Sequence, residues 1–327
     1  MASPAREAAK KRQQKKPLSI TQVIAAAADV VIARPHLMLA PIVLDAYYLI
    51  GYRLTAGGTF DRLQTRLNDQ QGSVADWLAR RLDTASGLDL TGLVAFVIPS
   101  LMPDTTNSIY RPFDRTSVNL DNWGALMLVS VVMLGLTMFL FGFVGLWLAD
   151  AGLNRDRSWS DRARLGPVVG GRFVLLALLF MAMLVLLLAP FLLAMAIASS
   201  ADVSLESLVL SVGVLAFLAM YVLFYFAPDS LLVDLSGPVQ ALRASSAVVR
   251  RNLSVTLLFV IVSVFLSIGL ADVWDRVATN PPGLAIAVVA NAFVGCVLWI
   301  ASLLFFSERS KLLASERAAS SMTPSIT

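Results

Sequence analysis

The sequence predicts an all-α membrane protein of six transmembrane helices with cytoplasmic interfacial amphipathic helices between them, and three observations predict it. The chain is 57% hydrophobic and only 15% charged, far more apolar than an ordinary soluble domain. Several apolar runs are long enough to cross a hydrocarbon core of about 30 Å at about 1.5 Å per residue. The third is an order of segments: an uncharged run reaching Pro228, an arginine-bearing stretch (SGPVQALRASSAVVRRN), and a second uncharged run. That order describes a span, a helix lying on the membrane surface and a span going back.

Taken along the chain, residues 1–17 (MASPAREAAKKRQQKKP) are basic and poorly apolar. They are expected to be a disordered cytoplasmic tail drawn to anionic lipid, neither a removable signal peptide nor a nucleic-acid arm. Residues 18–34 are expected to form an interfacial helix that Pro35 stops. Residues 36–55 are the first span, which holds Pro41, Asp45 and several tyrosines. Residues 56–122 turn polar and read as an outer loop domain. Within it Thr59 could cap a helix carrying Phe60, Leu63 and Leu67, and Ser73 a second carrying Val74, Trp77, Leu78 and Leu82. Residues 92–102 are apolar but too short to cross, which suits a re-entrant or interfacial segment. Residues 103–121 read as irregular loop.

The second span covers 123–149, with Trp123 and Trp147 near its ends, where aromatic belts lie. A basic loop, 152–172, leads to the third span, 173–199, and a short acidic turn to the fourth, 208–227. Ser236 is the expected N-cap of the surface helix 237–252, with Pro238 in its first turn. At about 100° per residue Val239, Leu242, Val248 and Val249 gather on one half of it, and Gln240, Arg243, Arg250 and Arg251 on the other. The fifth span is 253–271. The sixth, 284–306, follows an NPPG turn, and 307–327 is a polar cytoplasmic tail.

Charge sets the orientation. Of 26 basic residues, 18 fall in the N-terminal stretch, the 152–172 loop, the second surface helix and the tail, and all five lysines are among them. The positive-inside rule then places both termini in the cytoplasm and the protein in the cell membrane. A Val-Val pair and an arginine precede the odd-numbered spans three times (VVIARPHLML, VVGGRFVLL, VVRRNLSVTL), consistent with a threefold repeat of surface helix plus hairpin.

Four motifs carry a family resemblance: Phe226-Ala227-Pro228 at the end of span four, Gly237-Pro238, Ala241-Leu242-Arg243-x-Ser245, and Arg251-Asn252 before span five. The chain resembles a broad group of prokaryotic six-helix membrane proteins that includes the membrane domain of some glycerophosphodiester phosphodiesterases. The resemblance implies architecture. In those enzymes the chemistry belongs to a separate soluble barrel, and this chain has no stretch of that length or alternation.

Function is constrained by what is missing as well as by what is placed. His36 and Cys296 are the only residues of their kinds. A His/Cys zinc site and a histidine-activated nucleophile are therefore excluded, and no phosphate-binding or dinucleotide motif appears. No cofactor and no enzymatic activity are expected. Asp45 falls inside an apolar span, where an ionised carboxylate costs at least about 2.5 kcal/mol. It reads either as a proton, cation or ligand site or as a carboxyl joining helices, with Asn291, Tyr47 or Tyr48 as partners. Asn291 lies on a stripe with Ala287, Gly295 and Trp299 that suits close helix packing. Arg34, Arg172, Arg243, Arg250 and Arg251 are placed to meet anionic lipid headgroups, and Asp229 and Asp234 to form interfacial ion pairs or caps. The expectation is a non-enzymatic structural or accessory subunit, working with a membrane-protein partner or further copies of itself and with no nucleic acid. The alternative is a transporter or lipid-handling protein with a polar path near Asp45.

Overall fold

In the computed structural model, which describes residues 17–68, 90, 115–200 and 206–321, five helices are long and apolar enough to cross a membrane. A sixth crossing follows if one pair of helices, bent by 96°, counts as a single span. The fold is that of an all-α membrane protein.

Helix α1 (Ile20–Ala33) begins at a capping box: the Ser19 hydroxyl accepts from the Gln22 amide while the Gln22 side chain accepts from the Ser19 amide. It buries Val23, Ala27 and Val31, one face at four-residue spacing, and packs along α10 (Pro281–Ser321). Pro35 ends it, and a single 3-10 turn (Pro35–Met38) redirects the chain into α2 (Leu39–Ile50). The expected first span, 36–55, is thus shorter as a helix. Beyond Gly51, Arg53–Thr55 form strand β1, paired in parallel with β2 (Ser117–Asn119), so those three residues of the 103–121 stretch are not irregular. Arg115 fastens this pairing by donating to the carbonyls of Gly51 (3.1 Å) and Tyr52 (3.0 Å). Helix α3 (Gly57–Asn68) starts before Thr59, whose hydroxyl donates to the Leu120 carbonyl at 2.6 Å instead of capping. Phe60 meets Trp123 edge-on. The helix expected after Ser73 and the apolar segment 92–102 lie outside the described residues.

Helix α4 (Trp123–Gly152) is capped by Asn122, which accepts from the Ala125 amide at 2.7 Å. Helix α5 (Trp159–Ser200) runs unbroken through Pro167 and Pro190, so residues 159–172 are helix and not loop. Ser158 starts it by accepting from the Asp161 amide, and α4 holds it in place: a Cβ on Gly142 would fall on the backbone of Gly166, and one on Gly170 on the Met138 carbonyl. Two helices that touch backbone to backbone need small residues at the crossing. Helix α6 (Glu206–Phe224) breaks at Tyr225–Phe226 and resumes as the short α7 (Ala227–Val233). Helix α8 (Pro238–Arg251) has Gly237 in the N-cap position, because the Ser236 hydroxyl is turned toward Ser230 at 3.1 Å. Helix α9 (Leu253–Val277) follows at Asn252. The NPPG sequence is a helix start, with Asn280 accepting from the Gly283 amide at 2.9 Å, and α10 continues as helix to Ser321 where a tail was expected. Its last turns contain no proline or glycine to stop it.

The main core lies at one end of the bundle. There α1, α7 and α8 meet the ends of α4, α5 and α10, burying Leu148, Phe226, Leu231, Leu232, Val249 and Phe305. Phe226 stacks on Phe305 at 5.2 Å and Phe259 on Phe305 at 4.8 Å. Leu18 donates its amide to Glu308, so the first described residues and the last turns of α10 share this face. Away from it packing is thinner: a small second cluster gathers Ala278, Leu284, Ala287 and Val288, and only 6% of the most apolar stretch of α5 is buried.

Because lipid is as apolar as leucine, the α4–α5 hairpin depends on close packing more than on the hydrophobic effect. Gly142→Ala is therefore expected to cost about 1–3 kcal/mol by overpacking, even though alanine is the better helix former. Gly171→Ala, with nothing within 4 Å of the new Cβ, should be neutral or slightly stabilising. Thermal unfolding of both variants in detergent compares them directly.

Candidate functional site

The interruption between α6 and α7 is where backbone polarity, buried side chains and open space coincide. A helix broken within an apolar layer frees amides and carbonyls that lipid cannot satisfy. Here α8 meets them at the break, and three other elements hold the short helix that follows. Ser245 of α8 accepts from the Phe226 amide (3.2 Å) and donates to the Leu223 carbonyl (2.9 Å), covering both sides of the break with one hydroxyl. Asp229, in the first turn of α7, is buried and accepts a hydrogen bond from Ser302 of α10. At the other end Arg155 donates to the Val233 carbonyl at 2.9 Å, and Arg172 of α5 donates to the Leu235 carbonyl. Cations at a helix C-terminus also complement its dipole. Leu235 sits at φ 50°, a left-handed conformation that a leucine adopts only when held there.

Beside the interruption lies a crevice of about 460 Å³ between α5, α6 and α8. Tyr221, Phe224, Tyr225 and Pro228 form one wall, Phe173 and Phe180 the other, and Leu242 closes one end. Its lining is overwhelmingly hydrocarbon and aromatic ring, so it can hold an apolar chain and has no chemistry to offer beyond the tyrosine hydroxyls. Its volume is in the range of small-molecule sites, about 300–1,000 Å³.

The residues singled out from the sequence distribute unevenly around this feature. Asp229 is not an interfacial ion-pair partner; its partner is Ser302, in the core. Asp234 follows α7 directly, and partial desolvation raises its carboxyl pKa above the ordinary value while Arg155 and Lys311 oppose the rise. Arg34 and Arg172 do not reach outward as headgroup ligands. Arg34 donates to the Ala151 carbonyl (3.1 Å) and to Asn154 (3.3 Å), pinning the α4–α5 connector, and Arg172 holds Leu235. Arg243 and Arg250 are exposed on α8, and Arg251 pairs with Glu316 at 3.3 Å. Asp45 is fully buried on α2 and Asn291 half-buried on α10, and neither lines the crevice. His36 stacks on Trp147 at 5.5 Å. Among the described residues no group of three His, Cys, Asp or Glu side chains is gathered to hold a metal ion.

One buried cluster has little signature in the sequence. Asp150, only 1% exposed at the end of α4, meets Arg157 at 3.2 Å and Arg162 at 2.9 Å. Arg162 also lies over the ring of Trp159, 5.4 Å from its centroid. The arginines stand in a segment that reads as a solvated basic loop, and only the turn after α4 folds them back onto the carboxylate. Ser302 was equally hidden, because a serine in an apolar helix reads as packing, and the motif that contains Ser245 named no partner for it.

No family model, no curated protein and no solved structure matches this chain. The four motifs behind the six-helix resemblance nevertheless occupy one region. Ala227 and Pro228 open α7 and line the crevice, Gly237-Pro238 opens α8, Ser245 serves the break, and Asn252 joins α8 to α9.

Ser245→Ala removes the shared hydroxyl and leaves the Phe226 amide and Leu223 carbonyl without it. The expected cost is about 1–3 kcal/mol per unsatisfied group. A larger loss of thermal stability in detergent than for Ser246→Ala, next along the same helix, is the result to look for.

Proposed function

We propose that this chain is a non-enzymatic integral membrane protein that binds membrane lipid, taking an acyl chain into the crevice beside its interrupted span. The observation that carries the reading is that the break and the crevice are one feature: Tyr225, Ala227 and Pro228, the residues at the break, form its wall. The ends of that wall are pinned by Ser245, Arg155 and Arg172, which keeps the opening from collapsing. With Pro35–Ile50 taken as the first of six crossings, α1, α8 and both termini fall on the cytoplasmic side. The crevice then opens at the inner leaflet, where the exposed Arg243, next to Leu242, stands ready for an anionic headgroup. The α1 and α8 helices lie along that surface as amphipathic elements. A repeat relation among the three units is least apparent in the second, where Trp159–Arg172 continues straight into the span. The alternative centred on a polar path at Asp45 draws no support from a crevice that contains neither Asp45 nor Asn291.

Filling the crevice tests this. Ala177→Trp, in the lining, is expected to lose about one co-purified phospholipid per chain in native mass spectrometry, with thermal stability retained. Leu178→Trp, on the exposed side of the same helix, should leave the count unchanged. An unchanged lipid count in Ala177→Trp would refute the crevice as a lipid site.

A second reading, as an accessory subunit in a larger membrane assembly, is favoured by the outer halves of α4, α5 and α9. Leu128, Leu186 and Phe265 stand there uncovered by the chain itself. The outer loop, residues 56–122, lies mostly outside the described residues. With Cys296 replaced by alanine, Leu186→Cys should give a cross-linked species in native membranes. A purely monomeric product would remove α5 as the contact surface.

A further inference from the structure

We infer that a second site, sharing no residue with the crevice, binds a phosphate group in the pocket between the α8–α9 joint and the last turns of α10. The pocket has a volume of about 190 Å³, and Arg251, Asn252, Arg309 and Glu316 line it together with Leu312 and Leu313.

Arg309 is the reason. Its side chain is only 7% exposed, yet its acceptors are neutral and distant: Asn252 at 3.5 Å, the Leu18 carbonyl at 3.3 Å, and the face of Phe305 at 5.2 Å. Its Nε is buried with no hydrogen-bond partner, and among the described residues no carboxylate pairs with it. A buried guanidinium with an unmet donor is costly, and an anion can offset its desolvation. Arg157 and Arg162 show such compensation elsewhere in this protein, where they share the Asp150 carboxylate. Arg309 has five donors in a planar fork, the shape that matches phosphate oxygens.

Two neighbours complete the site. Helix α9 opens at Asn252, whose side chain donates to the Val248 carbonyl and accepts from Arg309, and so does not cap the helix. Helix α9 thus begins at this joint, directly after the end of α8, with Arg251 and Asn252 of the joint lining the pocket. Arg251, 67% exposed, is held only by Glu316, and an exposed pair of this kind is weak enough to open for a better anion. Leu312 and Leu313 supply an apolar flank suited to an ester. The shared chemistry is a phosphate, supplied either by an anionic phospholipid headgroup at this face or by free phosphate.

The full chain in detergent provides the test, with phosphatidylglycerol titrated in native mass spectrometry and inorganic phosphate in a thermal-shift assay. Loss of one charge-assisted contact is expected to weaken binding about tenfold in Arg251→Gln and at least as much in Arg309→Gln. Glu316→Gln, which frees Arg251, should tighten it about threefold. Binding of phosphatidylglycerol alone identifies a lipid headgroup as the source, and binding of inorganic phosphate as well identifies the phosphate group by itself. Should Arg309→Gln fail to fold, the exposed Arg251→Gln and Glu316→Gln variants carry the test. Wild-type protein that binds neither probe overturns the proposal, as does affinity unchanged in both of those variants.

Discussion

The constraint on which this structure depends is that a backbone interrupted inside an apolar layer must find every hydrogen-bond partner within the protein. The break between α6 and α7 is the place where that is most demanding, and it recruits α4–α5, α5, α8 and α10 together. Ser245 closes the break, Ser302 binds Asp229, and Arg155 and Arg172 take the carbonyls at the far end. The short helix α7 is thereby the hub of the core: its Leu231 and Leu232 are completely buried, and neighbours from α4, α5, α8 and α10 pack on it. A joint held by four neighbouring elements is a built feature, and in membrane proteins non-helical backbone is tolerated where it is buried or lines a cavity. This one does both.

Arginine does two kinds of work in this fold. Arg34, Arg155 and Arg172 donate to carbonyls at turns and helix ends, converting loose connectors into fixed joints. Arg157 and Arg162 neutralise a buried carboxylate. A guanidinium suits both tasks, because its fork reaches several acceptors and its charge is more weakly hydrated than that of an ammonium. The arginine on one face, which charge bias alone would assign to lipid attraction, thus has a structural share, while Arg243 and Arg250 remain exposed.

Packing is graded along the bundle. The end bearing α1 and α8 is dense, with aromatic stacking around Phe226 and backbone contact between α4 and α5 at Gly142, Gly166 and Gly170. The opposite halves of the spans present Leu186, Leu215 and Phe265 outward.

The amino-acid sequence by itself determined that the chain is helical and built for a membrane, because uncharged runs of sufficient length are a local property that survives any arrangement. It also marked the stop at Pro35, since a breaker acts within a few residues. Caps were less legible: Thr59 and Ser236 bond elsewhere, while Ser19 and Asn122 do the capping. Only the tertiary structure decided what the polar residues do. The partners of Asp229, Asp150, Arg172 and Ser245 are brought together by chain folding, and nothing in their spacing foretells which helix arrives. The parallel pairing of Arg53–Thr55 with Ser117–Asn119 is of the same kind, a contact between distant segments with no periodicity of its own. Hydrophobic length is written residue by residue. Hydrogen-bond satisfaction is a property of the packed whole, and the candidate sites rest on it.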